Sequence, residues 1–153
     1  MTTLRPATPD DIGALVALEA AFPEEDRFPR RTWRRLLDGN AAVIVSESGS
    51  GLTGAAVILF RKGSQVARLY SITVAEAARG SGLSSQLLTE SEDISRQRDC
   101  TLMRLEVRAS NERAKRLYER HGYRVMARAD GYYPDGETAL RMERPLTGPS
   151  RED

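Results

Sequence analysis

Apolar residues recur along the chain at two different spacings, and the spacing changes from one segment to the next. After a short strand-like run at residues 2–5, "ATPDDIGALVALEAAF" and "RTWRRLLDGN" have the three-to-four-residue spacing of amphipathic helices. Thr8 suits the N-cap of the first helix, and Pro9 suits its first helical position. The pattern therefore predicts one strand followed by two helices.

The next part of the chain alternates in the manner of β-strands. The segments "AAVIVSES", "LTGAAVILFRK" and "VARLYSITV" are separated by the turn sequences "GSG" and "KGSQ". Because the turns between these segments are short, consecutive strands are expected to run in opposite directions. This region therefore predicts an antiparallel ladder of three strands.

Helix and strand patterns then alternate to the end of the chain. A helix is predicted from about residue 82 to 98, followed by the strand "TLMRLEV" and by the helix "NERAKRLYERHG", which begins at Asn111 and ends at Gly122. "YRVMARA" and "TALRMERP" are closing strands on either side of the loop "DGYYPDGE". The whole order predicts a single mixed α/β domain around one central sheet over residues 1–146, with residues 147–153 as a polar, flexible tail.

Composition excludes several classes of protein. The 153 residues carry 23 basic and 22 acidic side chains, so the net charge of +1 favours neither a nucleic-acid nor a membrane partner. Cys100 is the single cysteine, which rules out an intrachain disulfide and favours a cytoplasmic location. One histidine and one cysteine cannot build a usual zinc site, and no apolar run is long enough to span a bilayer.

The turn "RGSG" at residues 79–82 is the first candidate for binding chemistry. It lies where the strand ending at Val74 gives way to the helix that contains Leu87. The first turn of a helix has unpaired N–H groups that attract anions, glycine lets a phosphate approach the backbone, and Arg79 adds a positive charge. The alternative is a tight turn that uses glycine for its geometry alone. Neither the Gly-Lys-Ser/Thr loop nor the Gly-x-Gly-x-x-Gly loop fits this sequence.

A second motif in the same half of the chain accompanies this turn. Its members have the pattern Asn-x-x-Ala-x-x-Leu-Tyr-x-x-x-Gly-Tyr, and they are Asn111, Ala114, Leu117, Tyr118, Gly122 and Tyr123. Together with "RGSGLS" at residues 79–84, the chain resembles the GNAT superfamily of acetyl-CoA-dependent N-acetyltransferases, and within it the RimI-like N-terminal alanine acetyltransferases. Ser84 departs from the glycine or alanine of the family signature, which we expect to have a modest effect on binding.

The resemblance implies a fold and a cofactor site. It implies a mostly antiparallel, twisted sheet of six to seven strands, about four flanking helices and a V-shaped opening between strands 4 and 5. Acetyl-CoA would lie in that opening as co-substrate, with no metal. The residues implied to bind it are Ile72, Thr73, Val74, Arg79, Gly80, Ser81, Gly82, Leu83, Ser84 and Asn111.

The resemblance also implies a division of catalytic roles. Glu106 matches the base and Tyr118 the acid of RimI-like enzymes, and Tyr132 and Tyr133 match a tyrosine-bearing loop that lines the acceptor groove. Each has a structural alternative. Glu106 could be a solvated or salt-bridged strand carboxylate, with Arg104 or Arg108 as its partner, Tyr118 a core aromatic residue, and the loop with Tyr132 and Tyr133 a packed β-hairpin. His121 and Cys100 are interpreted as structural.

Three functions remain open at the level of sequence. The leading one is acetyl transfer to a protein or peptide N-terminal α-amino group by direct attack in a ternary complex. The second is acetylation of a small amine, such as a polyamine, an amino acid or an antibiotic, and the third is a non-catalytic domain that binds acyl-CoA. A nucleotide-binding module is disfavoured because the loop lacks a lysine. The expected partners are acetyl-CoA and the acceptor amine, in a monomer or a homodimer.

Overall fold

The computed structural model of the chain describes residues 2–49 and 51–146, so the predicted tail at 147–153 lies outside the described residues. Within them the chain forms seven strands and four α-helices. The strands are β1 (Thr3–Pro6), β2 (Ala42–Ser48), β3 (Gly51–Phe60), β4 (Val66–Val74), β5 (Leu102–Arg108), β6 (Arg124–Ala129) and β7 (Ala139–Pro145). The helices are α1 (Ile12–Leu18), α2 (Arg30–Asp38), α3 (Leu83–Gln97) and α4 (Glu112–Arg120).

All seven strands belong to one sheet, in the order β1-β2-β3-β4-β5-β7-β6. Every neighbouring pair is antiparallel except β4 and β5, which are parallel and are joined through α3. The prediction of a mixed α/β domain with a mostly antiparallel sheet of six to seven strands and about four helices is confirmed.

Each face of the sheet is covered by two helices. Leu87 and Leu88 of α3 and Tyr118 of α4 pack with the Met103 and Leu105 side chains of β5 on one face. On the other face, the residues Ile12, Leu15 and Trp33 of α1 and α2 pack with Val43, Val45, Ala55 and Val57 of β2 and β3. Alternate residues of one strand therefore point towards different helix pairs, as the pleat of a sheet requires.

The first predicted helix is shorter than its apolar pattern indicated. Thr8 is the N-cap of a 3₁₀ turn at Pro9–Asp11 that leads into α1, and Asp11 completes a capping box by accepting a hydrogen bond of 2.8 Å from the Thr8 N–H. The N-cap of α1 itself is Asp11. However, α1 ends at Leu18 and a 3₁₀ turn follows at Glu19–Ala21. The buried Glu19 carboxylate accepts a hydrogen bond of 2.7 Å from the Phe28 N–H, which ties the end of α1 to the loop before α2.

A β-bulge in β4 separates it from β5. Ser71 pairs with Val57 and Leu69 pairs with Ile58, so Tyr70 is one extra residue on β4. The pairing of β4 with β5 also ends at Leu69, opposite Leu105. Because a bulge bends and twists its strand, the second half of β4 diverges from β5. The predicted V-shaped opening between strands 4 and 5 is therefore present, and the bulge accounts for it.

Candidate active site

A cavity of about 880 Å³ lies at the end of β4, beyond its last pairing with β5, and we refer to it as the β4–β5 cavity. Among the described residues, those at the end of β4 line it and those of β5 do not. The end of β4, the turn before α3, the first turn of α3 and one side of α4 line it. All the predicted cofactor residues except Ser81 line this cavity: Ile72, Thr73, Val74, Arg79, Gly80, Gly82, Leu83, Ser84 and Asn111. The Ser81 hydroxyl instead donates a hydrogen bond to the Ala78 carbonyl.

The glycines of the turn before α3 are required by backbone geometry. Gly80 and Gly82 have φ angles of +82° and +83°, in the left-handed region that disfavours residues with a Cβ atom. A Cβ atom on either glycine would meet nothing within 4 Å, so the space above the turn is open. Gly82 is the N-cap of α3, and no side chain caps the helix. The N-terminus of α3 therefore presents a concave, open anion site to the cavity.

Tyr118 also lines the β4–β5 cavity. It lies on α4, is 9% exposed, and packs edge-to-face against Tyr123 at 5.7 Å between ring centroids. Burial raises the pKa of the Tyr118 phenol to about 12, so the phenol stays protonated at neutral pH. No hydrogen bond joins its hydroxyl to any of the residues that the structure describes. Tyr118 thus lies in the wall of the cavity, and it also makes the packing contacts expected of a core aromatic residue.

Asn111 has a structural role as well as a position in the cavity. Its Oδ1 accepts a hydrogen bond of 3.1 Å from the Ala114 N–H, which confirms the predicted N-cap of α4. The cap uses only the carbonyl oxygen, so the NH₂ group of the side chain keeps its donors. Asn111 can therefore hold the helix and still donate a hydrogen bond within the cavity that it lines.

Glu106 lies on β5, one residue beyond the last pairing with β4, so it stands at the apex of the opening. Its side chain is 7% exposed and does not line the cavity. Oε1 accepts a hydrogen bond of 3.1 Å from Arg68 Nε, and Oε2 accepts one of 3.0 Å from Arg141 Nε. The carboxylate is therefore held between two guanidinium groups.

The predicted partners of Glu106 were wrong. Arg104 instead pairs with Glu143 at 2.7 Å, and Arg108 pairs with Asp26, Asp135 and Glu137. The reason is the sheet: residues directly opposite on neighbouring strands lie closer than residues two apart on one strand. Arg141 is the direct cross-strand partner of Glu106, so it takes the place of the expected neighbours.

Tyr132 and Tyr133 do not line the β4–β5 cavity and lie near arginines of β4 and β5. The Tyr132 hydroxyl accepts a hydrogen bond of 2.8 Å from Arg68, and the Tyr133 ring lies 4.1 Å below the guanidinium of Arg108. The two rings contact each other edge-to-face at 5.0 Å. Burial raises the pKa of the Tyr133 phenol to about 12. The loop is thus held against the sheet on the α1 and α2 side, because Arg68 alternates with the core residues Ala67 and Leu69.

Sequence reasoning missed several residues around this loop. Phe28 stacks on Tyr70 at 5.0 Å, and the Tyr70 side chain remains 43% exposed beside Arg68. Phe22 lines the β4–β5 cavity. The apolar parity of "VARLYSITV" does change after Leu69, which is the one sequence signal that could have located the bulge and the exposed Tyr70.

Buried polar contacts, also missed, hold α3 against α4 and β7. Glu92 is fully buried and accepts hydrogen bonds of 2.8 Å from both the Tyr123 hydroxyl and Arg144. His121 Nε2 lies 3.1 Å from Ser85 Oγ, and burial lowers the pKa of the His121 imidazole. These contacts join the C-terminal end of α4 and strand β7 to α3. The interpretation of His121 as structural agrees with this position.

The described part of the chain contains neither a candidate metal site nor a candidate membrane-spanning helix. Across residues 2–49 and 51–146, no group of three or more His, Cys, Asp or Glu side chains could hold a metal ion. Within the same residues no helix has the length and apolar character needed to cross a membrane.

Comparisons with known proteins agree with the geometry of the cavity. The model of the acetyltransferase (GNAT) family matches residues 11–123. An N-alpha-acetyltransferase of Saccharolobus solfataricus is 39% identical over 89 residues, which is 58% of this chain and 51% of the relative. The chain therefore spans about half the length of this curated relative.

Solved structures match over almost the whole chain. The ribosomal-protein-S18-alanine N-acetyltransferase from Escherichia coli superposes with a TM-score of 0.84 and 26% identity, covering 99% of this chain and 97% of the other. Ard1 from Thermoplasma volcanium superposes with a TM-score of 0.80 and 25% identity, covering 96% and 99%.

Proposed function

This chain belongs to the acetyltransferase (GNAT) family, and on that premise we propose that it is an N-acetyltransferase that moves the acetyl group of acetyl-CoA to a primary amine. The acceptor that we propose is the N-terminal α-amino group of a protein or peptide. The observation that carries the proposal is the β4–β5 cavity, which combines an uncapped helix N-terminus, the open glycine turn and Tyr118.

The residues around the cavity fit acetyl-CoA. The open space above Gly80 and Gly82 and the free first turn of α3 suit the pyrophosphate, and the side chain of Arg79 makes no hydrogen bond or ion pair with any described residue. The unpaired edge of β4 at Ile72 and Val74 offers backbone groups to the amide groups of pantetheine. Bound acetyl-CoA supplies an acetyl thioester whose leaving group is a thiolate.

Tyr118 is the residue that we propose as the acid. A phenol with a pKa of about 12 holds its proton at neutral pH and can donate a hydrogen bond to the sulfur as the C–S bond breaks. A free thiol has a pKa of about 8.5, so the departing thiolate is a weaker base than the phenolate, and the phenol acts by stabilising the developing negative charge on sulfur while the proton released by the amine balances the reaction. The position of Tyr118 in the wall of the cavity supports this role.

Glu106 is the residue that we propose as the base, although its carboxylate is already bound by Arg68 and Arg141. Each carboxylate oxygen has two lone pairs, so the hydrogen bonds from Arg68 and Arg141 leave acceptor capacity for a water or an amine. Its place at the apex of the opening supports contact with an acceptor that approaches from the α1 and α2 side. Tyr70, Tyr132 and Tyr133 are proposed to line that approach.

Two considerations support an α-amino acceptor. The relative named above and the superposed Escherichia coli enzyme carry names that specify acetylation of an α-amino group or of an alanine. In addition, an α-amino group has a pKa of about 7.7–8.0 against about 10.4 for lysine, so much more of it is neutral near pH 7. A modest base is therefore sufficient. The cytoplasmic location expected from the sequence stays a prediction.

Mass spectrometry of an acetylated test peptide checks this proposal. The peptide carries both a free N-terminus and a lysine, and a matched peptide has its N-terminus blocked. We expect acetyl on the α-amino group of the first peptide and none on the second. Acetyl found on lysine alone would overturn the proposed acceptor. A parallel screen of polyamines and aminoglycosides tests the small-amine alternative, and acetyl-CoA binding without any transfer would favour the non-catalytic one.

A further inference from the structure

The charges that line the β4–β5 cavity are all of one sign. Arg79, Arg113, Arg116 and Arg120 line it, and none of the aspartates or glutamates that the structure describes does. The side chains of these four arginines make no hydrogen bond or ion pair within residues 2–49 and 51–146, whereas the side chains of Arg68, Arg104, Arg108, Arg141 and Arg144 are all paired. Basic and acidic residues are nearly equal in number, so this local excess is a feature of the cavity and not of the composition.

Three of these cations form a row along α4, which we call the α4 arginine stripe: Arg113, Arg116 and Arg120. The spacings of three and four residues place them on one face of the helix, over a length of about 10 Å. The other charged residues of α4, which are Glu112, Lys115 and Glu119, do not line the cavity, and Lys115 pairs with Glu112 at 2.9 Å. A solvated helix face would mix charges in this way, so the stripe differs from the rest of its own helix.

The stripe lies close to the anion site of α3. His121 directly follows Arg120, and its Nε2 lies 3.1 Å from Ser85 Oγ in the first turn of α3. Ser85 and the three arginines line the same cavity. A ligand whose pyrophosphate sits on the first turn of α3 therefore has the stripe beside it.

A pyrophosphate alone does not account for all the cations. The first turn of α3 and Arg79 already offer donors and positive charge to its two negative charges. A phosphate monoester adds a further charge of about −1.5 to −2 and three acceptor oxygens, which guanidinium groups bind in a bidentate manner. CoA carries such a monoester on its ribose 3′-oxygen. We propose that the α4 arginine stripe binds this 3′-phosphate, so that the protein distinguishes CoA from 3′-dephospho-CoA. This inference rests on the proposed function, since it concerns the same cofactor.

Calorimetry of the complete protein with CoA and with 3′-dephospho-CoA tests the inference without an activity assay. At an ionic strength of about 0.15 M, where exposed charges are partly screened, we expect CoA to bind about tenfold more tightly than its dephospho form. Replacement of all three stripe arginines by glutamine should bring this ratio close to one. The single variant Arg116→Gln should lower it about threefold. The binding of 3′-dephospho-CoA should change little in each variant.

Lys115→Gln is the matched control, because it removes one positive charge from the same helix at a residue outside the cavity. It should leave the ratio unchanged. Equal affinities of the parent protein for the two ligands would overturn the inference and leave the proposed function standing. A loss of the ratio in Lys115→Gln as large as in Arg116→Gln would also overturn it. Absence of binding to either ligand at millimolar concentration would overturn the proposed function itself.

Discussion

Glu106 on β5 and Arg141 on β7 are direct cross-strand partners, joined by a hydrogen bond of 3.0 Å from Arg141 Nε to the carboxylate. The pair allows two roles of Glu106, as a base and as an ion-pair partner, to be tested by separate substitutions. Glu106→Gln removes the charge, whereas Arg141→Gln keeps the carboxylate and removes one of its partners.

If Glu106 is the base, Glu106→Gln should lower kcat/KM most below pH 7, where an α-amino group is largely protonated, and activity should recover partly as the pH rises. Arg141→Gln should not show this pH-dependent loss. The pH–rate profiles of both variants are the measurement. Equal losses in the two variants at every pH would assign Glu106 an ion-pairing role instead.

Tyr118→Phe should separate chemistry from binding. The ring and its packing against Tyr123 remain and only the hydroxyl is lost, so kcat should fall by about 10²–10⁴-fold while acetyl-CoA affinity changes little. Because the pKa of Tyr118 is about 12, the parent enzyme should show no loss of rate from its ionisation up to about pH 11.

Tyr123→Phe is the control for this variant, since it also removes one buried phenolic hydroxyl. That hydroxyl donates to the buried Glu92, so its loss should lower the free energy of unfolding by about 1–3 kcal/mol with a much smaller effect on kcat. Steady-state kinetics and urea denaturation of both variants check the contrast. A full kcat in Tyr118→Phe would leave the residue as a core aromatic.

Gly82→Asp should weaken acetyl-CoA binding at least tenfold. Gly82 has a φ of +83°, and an aspartate there adds backbone strain, a side chain and a negative charge at the anion site. Gly63→Asp is matched, because Gly63 has a φ of +81° and open surroundings but lies outside the cavity. Calorimetry should show unchanged affinity in Gly63→Asp. Equal losses in both would show that the effect is backbone strain and not local charge.

Arg144→Met should destabilise the fold. It leaves the fully buried Glu92 without its cation, and an uncompensated buried charge costs about 3–5 kcal/mol. Arg128→Met removes an arginine whose ion pair with Asp130 is mostly exposed, so its effect should stay within about 0.5 kcal/mol. Urea denaturation of both variants is the measurement, and similar midpoints would contradict the role given to the Glu92 cluster.

Local signals explain what the sequence predicted well. Asn111 as an N-cap, the glycine turn before α3 and the alternation of the strands each depend on residues that are close in sequence. These features were sufficient to predict the order of the helices and strands and most of the residues that line the cavity.

Long-range pairing explains what could not be predicted. The two arginines that hold Glu106 lie 38 and 35 residues away, and their contacts depend on the register of β4 and β7 against β5. The burial of Glu92 likewise depends on Arg144, 52 residues away, and on Tyr123. A sequence pattern does not contain such registers, so these partners became known only from the fold.

The bulge at Tyr70 divides the sheet into two parts that are joined by a short stretch of backbone pairing. Strands β1–β4 form one part and β5–β7 the other, and the pairing between them is limited to Val66–Leu69 against Leu102–Leu105. Loss of the extra residue, Tyr70, would let β4 pair with β5 along its length. This pairing would add hydrogen bonds between the two strands and close the opening between them. The pairing that would join the two parts of the sheet most tightly would therefore leave no room for a ligand.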